Sequence, residues 1–183
     1  DTGMDNIGPF TFNAVRFFVG FLAVAPIAFI FERKKIPKSI SKNKKIFANL
    51  AILIGLSLFF GTALQQVALL YTDVANAAFF TIFYVPMVPF IIFFIYKVPI
   101  HWSIWPSVFL CVMGGYLLTN FYNATVRIGD TFVIMGAFFW STHIIFTGKI
   151  IENYNLPLTI GAIQTLIVAS LSLIIGLIFE DFI

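Results

Sequence analysis

A histidine and a tryptophan lie three residues apart in the middle of an apolar stretch. His143 is the most deeply placed titratable side chain of the sequence, and a helix would put Trp140 on the same face. Because histidine titrates near neutral pH and polar groups are costly at membrane depth, the pair predicts a gate or a proton relay. A hydrogen-bonded structural histidine is the alternative interpretation.

Two adjacent amides, Gln65 and Gln66, interrupt another apolar stretch. Neighbouring residues of a helix point about 100° apart, so the two side chains cannot share a face. Lipid leaves the hydrogen bonds of an amide unmade, and at least one glutamine is therefore expected to face the bundle interior. It would bind a solute there, or link two helices.

A third group of candidates follows a spacing of four residues. Asn76, Phe80 and Tyr84 would form one stripe of a helix, which could line a pocket for an amphipathic solute or pack against a neighbouring helix. Pro86 and Pro89 follow on the same helix, and each removes a backbone donor. These prolines are candidates for a hinge or a bend.

Arg16 is a cation about seven residues into its apolar segment, roughly 10 Å deep at 1.5 Å per residue. It could face a cavity and hold a substrate carboxylate or phosphate. Alternatively it could snorkel outward, toward Asp73 or Asp130. Gln164 takes the equivalent position in a second segment described below. We expect these candidates to converge on one polar cavity, with Arg16 near its outer mouth.

The composition shows what kind of element must position these residues. The chain is 60% hydrophobic and 10% charged, whereas a soluble domain is nearer a quarter charged. A helix of about 20 apolar residues crosses the hydrocarbon core, so the sequence predicts an all-α, polytopic membrane helix bundle. The predicted spans are 9–31, 46–71, 75–96, 100–119, 131–148 and 157–179.

Positive charge is concentrated between the first two spans. Seven of the eleven Lys and Arg residues lie in the loop Arg33–Lys45. The positive-inside rule predicts that this loop is cytoplasmic and that Asp73 and Asp130 lie outside. Binding of an anionic lipid or a partner is the alternative role of the loop. Both ends of the chain are then predicted on the outer side.

The first and last spans are similar in sequence and resemble an internal repeat. At an offset of 148, seven of 24 positions are identical, and the identities bracket both ends of each segment. They pair Pro9, Thr11, Ala14, Ile27, Ile30, Phe31 and Glu32 with Pro157, Thr159, Ala162, Ile175, Ile178, Phe179 and Glu180. The copies are the first and the sixth of the predicted spans, so they cross the membrane in opposite directions, as in an inverted-topology repeat.

Several stretches resemble the EamA-type family of the drug/metabolite transporter superfamily. They are residues 8–17, 61–72 and 76–80, Pro86, the pair Gly129-Asp130, and residues 139–143. The resemblance implies ten helices in two inverted repeats of five around a central cavity. This chain would hold helices 2–7, with 1–125 as most of the first repeat and 126–183 as the start of the second.

The resemblance implies a secondary transporter, an exporter of amino acids or related small metabolites, that works by alternating access. The 183 residues contain neither a Gly-x4-Gly-Lys-Ser/Thr nor a His-Glu-x-x-His motif, and neither a cofactor nor an enzymatic activity is expected. An integral-membrane enzyme or a receptor is the alternative. The expected partners are a small-molecule substrate and the bilayer of the bacterial cytoplasmic membrane, not nucleic acid, and a homodimer is compatible with this assignment.

Overall fold

The computed structural model describes residues 7–41, 43–118 and 127–180, and all regular secondary structure in this part of the chain is helical. The helices are α1 Pro9–Glu32, α2 Ile36–Ser41, α3 Lys44–Ala68, α4 Val74–Thr81, α5 Tyr84–Tyr96, α6 Ile104–Leu118, α7 Ile128–Tyr154 and α8 Pro157–Phe179. The predicted repeat boundary between residues 125 and 126 lies outside the described residues.

The predicted membrane architecture is confirmed for most of the chain. Five segments are long and apolar enough to cross a membrane: α1, α3, the segment Val74–Tyr96, α7 and α8. The last of them begins and ends where the sequence predicts. The protein is therefore an integral, multi-pass membrane protein with a helical bundle.

Four elements differ from the prediction, the first being α7, which extends the predicted span 131–148 at both ends to Ile128–Tyr154. The span 75–96 is divided into α4 and α5 by a break. The span 100–119 corresponds to α6, whose 15 residues reach about 22 Å, less than a hydrocarbon core of about 30 Å. The basic loop contains α2, a short helix that the sequence does not predict.

The described residues form two compact units. The first unit runs up to residue 59 and resumes at residue 146, and the second unit comprises the residues from 60 to 145. The boundaries fall within α3 and α7, so each of these helices contributes to both units.

The core of the first unit lies where α3, α7 and α8 meet. The cluster contains Phe47, Ala51, Ile54, Ile150, Tyr154, Leu156 and Ile160, all buried. The rings of Phe47 and Tyr154 meet edge to face with centroids 5.0 Å apart, and the Tyr154 hydroxyl donates to the Asn43 carbonyl at 3.2 Å. Ile36 and Ile40 pack against this cluster and hold α2 in place.

Each of the two repeated helices, α1 and α8, is capped by a glutamate of the other. The Glu32 carboxylate, at the end of α1, accepts the backbone N–H groups of Leu158 at 3.1 Å and Thr159 at 2.7 Å. Both helices begin with a proline, which has no N–H to satisfy. The carboxylate therefore meets the first backbone donors that the helix leaves unpaired, where the helix dipole also favours negative charge.

Glu180 forms the reciprocal cap on α1. Its carboxylate accepts the N–H of Phe10 at 2.7 Å, the N–H of Thr11 at 2.8 Å and the Thr11 hydroxyl at 2.6 Å. A Cβ at Gly8 would overlap this carboxyl group, so the absence of a side chain there makes room for the cap. Because the end of each helix touches the beginning of the other, α1 and α8 are antiparallel, as an inverted repeat requires.

The second unit is held at one end by the Gly129-Asp130 pair. Asp130 is 1% exposed, and its carboxylate accepts the Thr72 hydroxyl at 2.5 Å and the Arg127 N–H at 2.8 Å. A Cβ at Gly129 would lie 2.7 Å from the Ala68 carbonyl oxygen, so only glycine lets α7 begin this close to the end of α3. These contacts fix the start of α7 beside α4.

Candidate functional site

The break between α4 and α5 is the main irregularity of the second unit. The N–H of Ile82 donates to Phe79 at 3.1 Å, and the N–H of Val85 donates to Ile82 at 2.9 Å, so the hydrogen bonds tighten to the 3₁₀ pattern. Pro86 explains this change, because it has no N–H to reach the Ile82 carbonyl four residues earlier. The break, at Ile82 and Phe83, thus lies one turn before Pro86, and Pro89 is buried further along α5. A hinge function for the two prolines stays a prediction.

Ser141 of α7 lies opposite the start of α5. Its hydroxyl is fully buried and lies 3.3 Å from the Tyr84 carbonyl and 2.8 Å from the Ala137 carbonyl of its own helix. Irregular backbone at membrane depth requires such partners, or a water-lined cavity. The serine therefore ties α7 to the break.

Gln65 reaches the other side of the break. Its side-chain amide donates to the Thr81 hydroxyl at 3.0 Å, and that hydroxyl donates to the Ala77 carbonyl at 2.7 Å. The hydrogen bonds link α3 to the last turn of α4. Gln66 is buried, 7% exposed, and Gln65 is half-buried. A solute-binding role for either amide stays a prediction.

Trp140 and His143 lie one turn apart on α7. Their ring planes are 89° apart with centroids separated by 6.1 Å, and His143 is 8% exposed. The indole nitrogen Nε1 of Trp140 is buried and has no hydrogen-bond partner among the described residues. A Cβ at Gly61 would lie 3.3 Å from this nitrogen, so the glycine of α3 leaves space for the indole.

The predicted stripe of Asn76, Phe80 and Tyr84 is interrupted by the break. Asn76 and Phe80 are both buried on α4, whereas Tyr84 opens α5 and is half-buried. Phe80 packs in the apolar cluster of the second unit with Val133, and its ring lies 5.9 Å from that of Phe83. Phe80 is thus part of the core, while Asn76 and Tyr84 lie on either side of the break.

Arg16 and Gln164 belong to the first unit. The guanidinium of Arg16 donates to the Asn13 amide oxygen at 2.8 Å and lies over the rings of Phe12 and Phe17. The Gln164 amide oxygen is buried without a partner among the described residues. The other candidates all lie in the second unit, and the convergence of the whole set on one cavity stays a prediction.

Three residues at the break were not among the sequence candidates for a cavity: Gly61, Thr81 and Ser141. Each is a small or hydroxyl-bearing residue in the middle of an apolar segment, which is the signal that could have identified them. In the described part of the chain, no group of three or more His, Cys, Asp or Glu residues is arranged to hold a metal ion. The chemistry of this site is hydrogen bonding and ring stacking.

Comparisons with known proteins agree with the helical architecture. The model of the EamA-like transporter family matches residues 1–120. A curated relative, an uncharacterized transporter of Archaeoglobus fulgidus, is 30% identical over 141 residues, which are 77% of this chain and 40% of the relative. The chain therefore spans less than half of the length of that relative. No solved structure matches the chain.

Proposed function

The chain belongs to the EamA-like transporter family, and from this premise we propose that it is part of a secondary exporter of small metabolites, such as amino acids or related solutes. The solute crosses by alternating access between two inverted repeats. The antiparallel pair of α1 and α8 supports this mechanism, because it gives two copies of one helix opposite directions. We place the protein in the bacterial cytoplasmic membrane and assign it no catalytic step.

The broken helix supports a solute site in the second unit. Transporters of several folds bind their solutes at discontinuous helices near the bilayer midplane, where unwound backbone and helix ends are available. Here the break is flanked by Thr81 and Tyr84, with Gln65 on one side and Ser141 on the other. An amide, two hydroxyl groups and irregular backbone are therefore gathered around the break.

The unpartnered indole N–H of Trp140 is the observation that carries the proposal. A buried donor without an acceptor costs about 1–3 kcal/mol, and a solute that accepts from this N–H would remove that cost. A carboxylate or carbonyl oxygen of a solute would accept this hydrogen bond. His143, on the adjacent turn, adds a second polar ring to the same face of α7.

Transport by Trp140→Phe tests this assignment. The variant keeps an aromatic ring and removes the N–H, so the rate of solute exchange should fall by about tenfold or more, as expected for a hydrogen bond to a charged group. Counterflow of radiolabelled amino acids in proteoliposomes measures the rate. Trp105→Phe is the matched control, because Trp105 stacks edge to face on Phe90, 5.2 Å away, and is 41% exposed.

Equal exchange by wild type and Trp140→Phe, at equal protein content, would remove Trp140 from the solute site. Absence of exchange of any amino acid by the wild-type protein would instead contradict the proposed substrate class. The two failures are distinguishable because the second one affects all variants alike.

A further inference from the structure

A basic cavity lies in the first unit, where α1 passes into α2. Its volume is about 280 Å³, and it is lined by Lys34, Lys35, Ser39 and Asn155. Two ammonium groups, a hydroxyl and an amide form a donor set that suits a phosphate group.

The chain builds this cavity from an anchored helix. Ile36 and Ile40, four residues apart on α2, pack against the apolar core of the first unit. Lys35 and Ser39 each precede one of these isoleucines, and the Ser39 N–H donates to the Lys35 carbonyl at 3.0 Å. Ser39 on α2 and Lys35 directly before α2 therefore line the cavity together. Asn155, directly after α7, also lines the cavity, and its φ of 51° lies in the left-handed region that asparagine tolerates.

The electrostatic environment of the cavity is positive. Seven Lys and Arg residues lie between positions 33 and 45, and no Asp or Glu lies among them. The preceding carboxylate, Glu32, is engaged by the backbone of α8. Among the described residues, neither Lys34 nor Lys35 forms an ion pair with a carboxylate.

Apolar surface adjoins the cavity along the chain. Phe29, Ile30 and Phe31 precede the basic residues on the last turn of α1 and are 62%, 68% and 69% exposed. We call these three residues the apolar collar. In a bilayer, the collar faces acyl chains and the lysines lie at headgroup level. A free phosphate would accept hydrogen bonds from the cavity and make no contact with the collar, whereas a lipid would contact both.

We propose that this cavity binds the phosphate group of an anionic lipid, with the acyl chains along the collar of Phe29, Ile30 and Phe31. The bound lipid would fasten α2 to the end of α1 and stabilise the first unit. A charge that only directs topology would need neither the cavity nor the anchored α2.

Lipid-dependent thermal unfolding of the whole protein in detergent tests the proposal. Phosphatidylglycerol should raise the melting temperature, and phosphatidylcholine should not. The double variant Lys34→Gln/Lys35→Gln should raise the half-saturating concentration of phosphatidylglycerol by about thirtyfold, at roughly fivefold for each lysine near an anionic lipid. The control Lys44→Gln/Lys45→Gln removes the same charge from the same loop outside the cavity and should change that concentration by less than about threefold.

A second pair of variants leaves α2 intact. Asn155→Asp places a negative charge in the cavity wall and should weaken the response to phosphatidylglycerol. Asn153→Asp adds the same charge on the exposed face of α7, where Asn153 bonds the Lys149 carbonyl, and should not. Equal weakening by both lysine pairs, or by both asparagine variants, would show a diffuse charge effect and overturn the site. An equal response to inorganic phosphate alone would overturn the lipid assignment.

Discussion

The two units differ in where their most prominent polar contacts lie. In the first unit, the strongest polar contacts lie at the two ends of the α1–α8 pair, where a carboxylate meets each helix beginning. In the second unit, Gln65, Thr81 and Ser141 lie around a break in the middle of a span. Polar groups at helix ends fix the length and direction of a helix. Polar groups at a mid-span break create a place where the backbone can change shape.

The two caps also differ from each other, although their residues are identical in the repeat. Glu180 accepts three hydrogen bonds, including one from the Thr11 hydroxyl. Glu32 accepts the two backbone bonds only, and the Thr159 hydroxyl is buried without a partner in the described structure. Glu32 is nevertheless the more deeply placed carboxylate, at 4% exposed.

The largest expected effect concerns the cap at Glu32. Glu32→Ala removes a buried carboxylate that accepts two part-buried N–H groups at the start of α8, and it should lower the free energy of unfolding by about 3 kcal/mol. Glu180→Ala should cost less, about 1–2 kcal/mol, because water can replace the half-buried carboxylate. Unfolding in a denaturing-detergent titration measures both, with the exposed Glu152→Ala as the control. A loss no larger than that of the control would show that the caps do not hold the pair together.

The second prediction compares a proline of the second unit, Pro86, with a proline of the first unit, Pro26. Pro86→Ala restores an N–H below the Ile82 carbonyl and should favour a straight helix, which we expect to slow solute exchange about tenfold, or about 1.4 kcal/mol in activation free energy. Pro26→Ala makes the same change inside α1, which is continuous around it, and should leave exchange unchanged. Proteoliposome counterflow gives both rates. Similar rates for the two variants would mean that the break has no part in transport.

The smallest expected effect compares the two threonines of the caps. Thr11→Val removes a hydroxyl that donates to Glu180 and should cost about 1 kcal/mol of unfolding free energy. Thr159→Val removes a buried hydroxyl without a partner and should be neutral or slightly stabilising. The same denaturation assay resolves the difference. If the two substitutions cost the same, the caps are equivalent in the membrane.

The sequence predicted the α1–α8 pair well for a reason that the structure makes visible. The identities that bracket the repeat include Pro9, Thr11 and Glu32 with their counterparts, and these are the residues that build the reciprocal caps. A proline without a donor, followed two residues later by a bonded threonine, defines where such a helix begins. Both ends of the repeated helix could therefore be located from residue types alone.

Other features depend on partners that are distant in sequence. The position of the break relative to Pro86 could be anticipated, but its link to Ser141 joins residues 57 apart. The short helix α2 forms because Ile36 and Ile40 find a core built by α3, α7 and α8. A local hydrophobic pattern does not contain that information. The grouping of Arg16 and Gln164 in a different unit from the other candidates likewise follows from packing.

The reciprocal caps cannot form until most of the described chain has been synthesised. The carboxylate that α1 needs at its beginning belongs to residue 180, which the ribosome adds 169 residues after Thr11. At a translation rate of about 5–20 residues per second, the first turn of α1 is without this partner for roughly 10–30 s. During that interval its donors depend on water or lipid headgroups at the bilayer surface. Insertion of α8 then completes both helices at once, so the beginning of α1 depends on a helix that is synthesised much later.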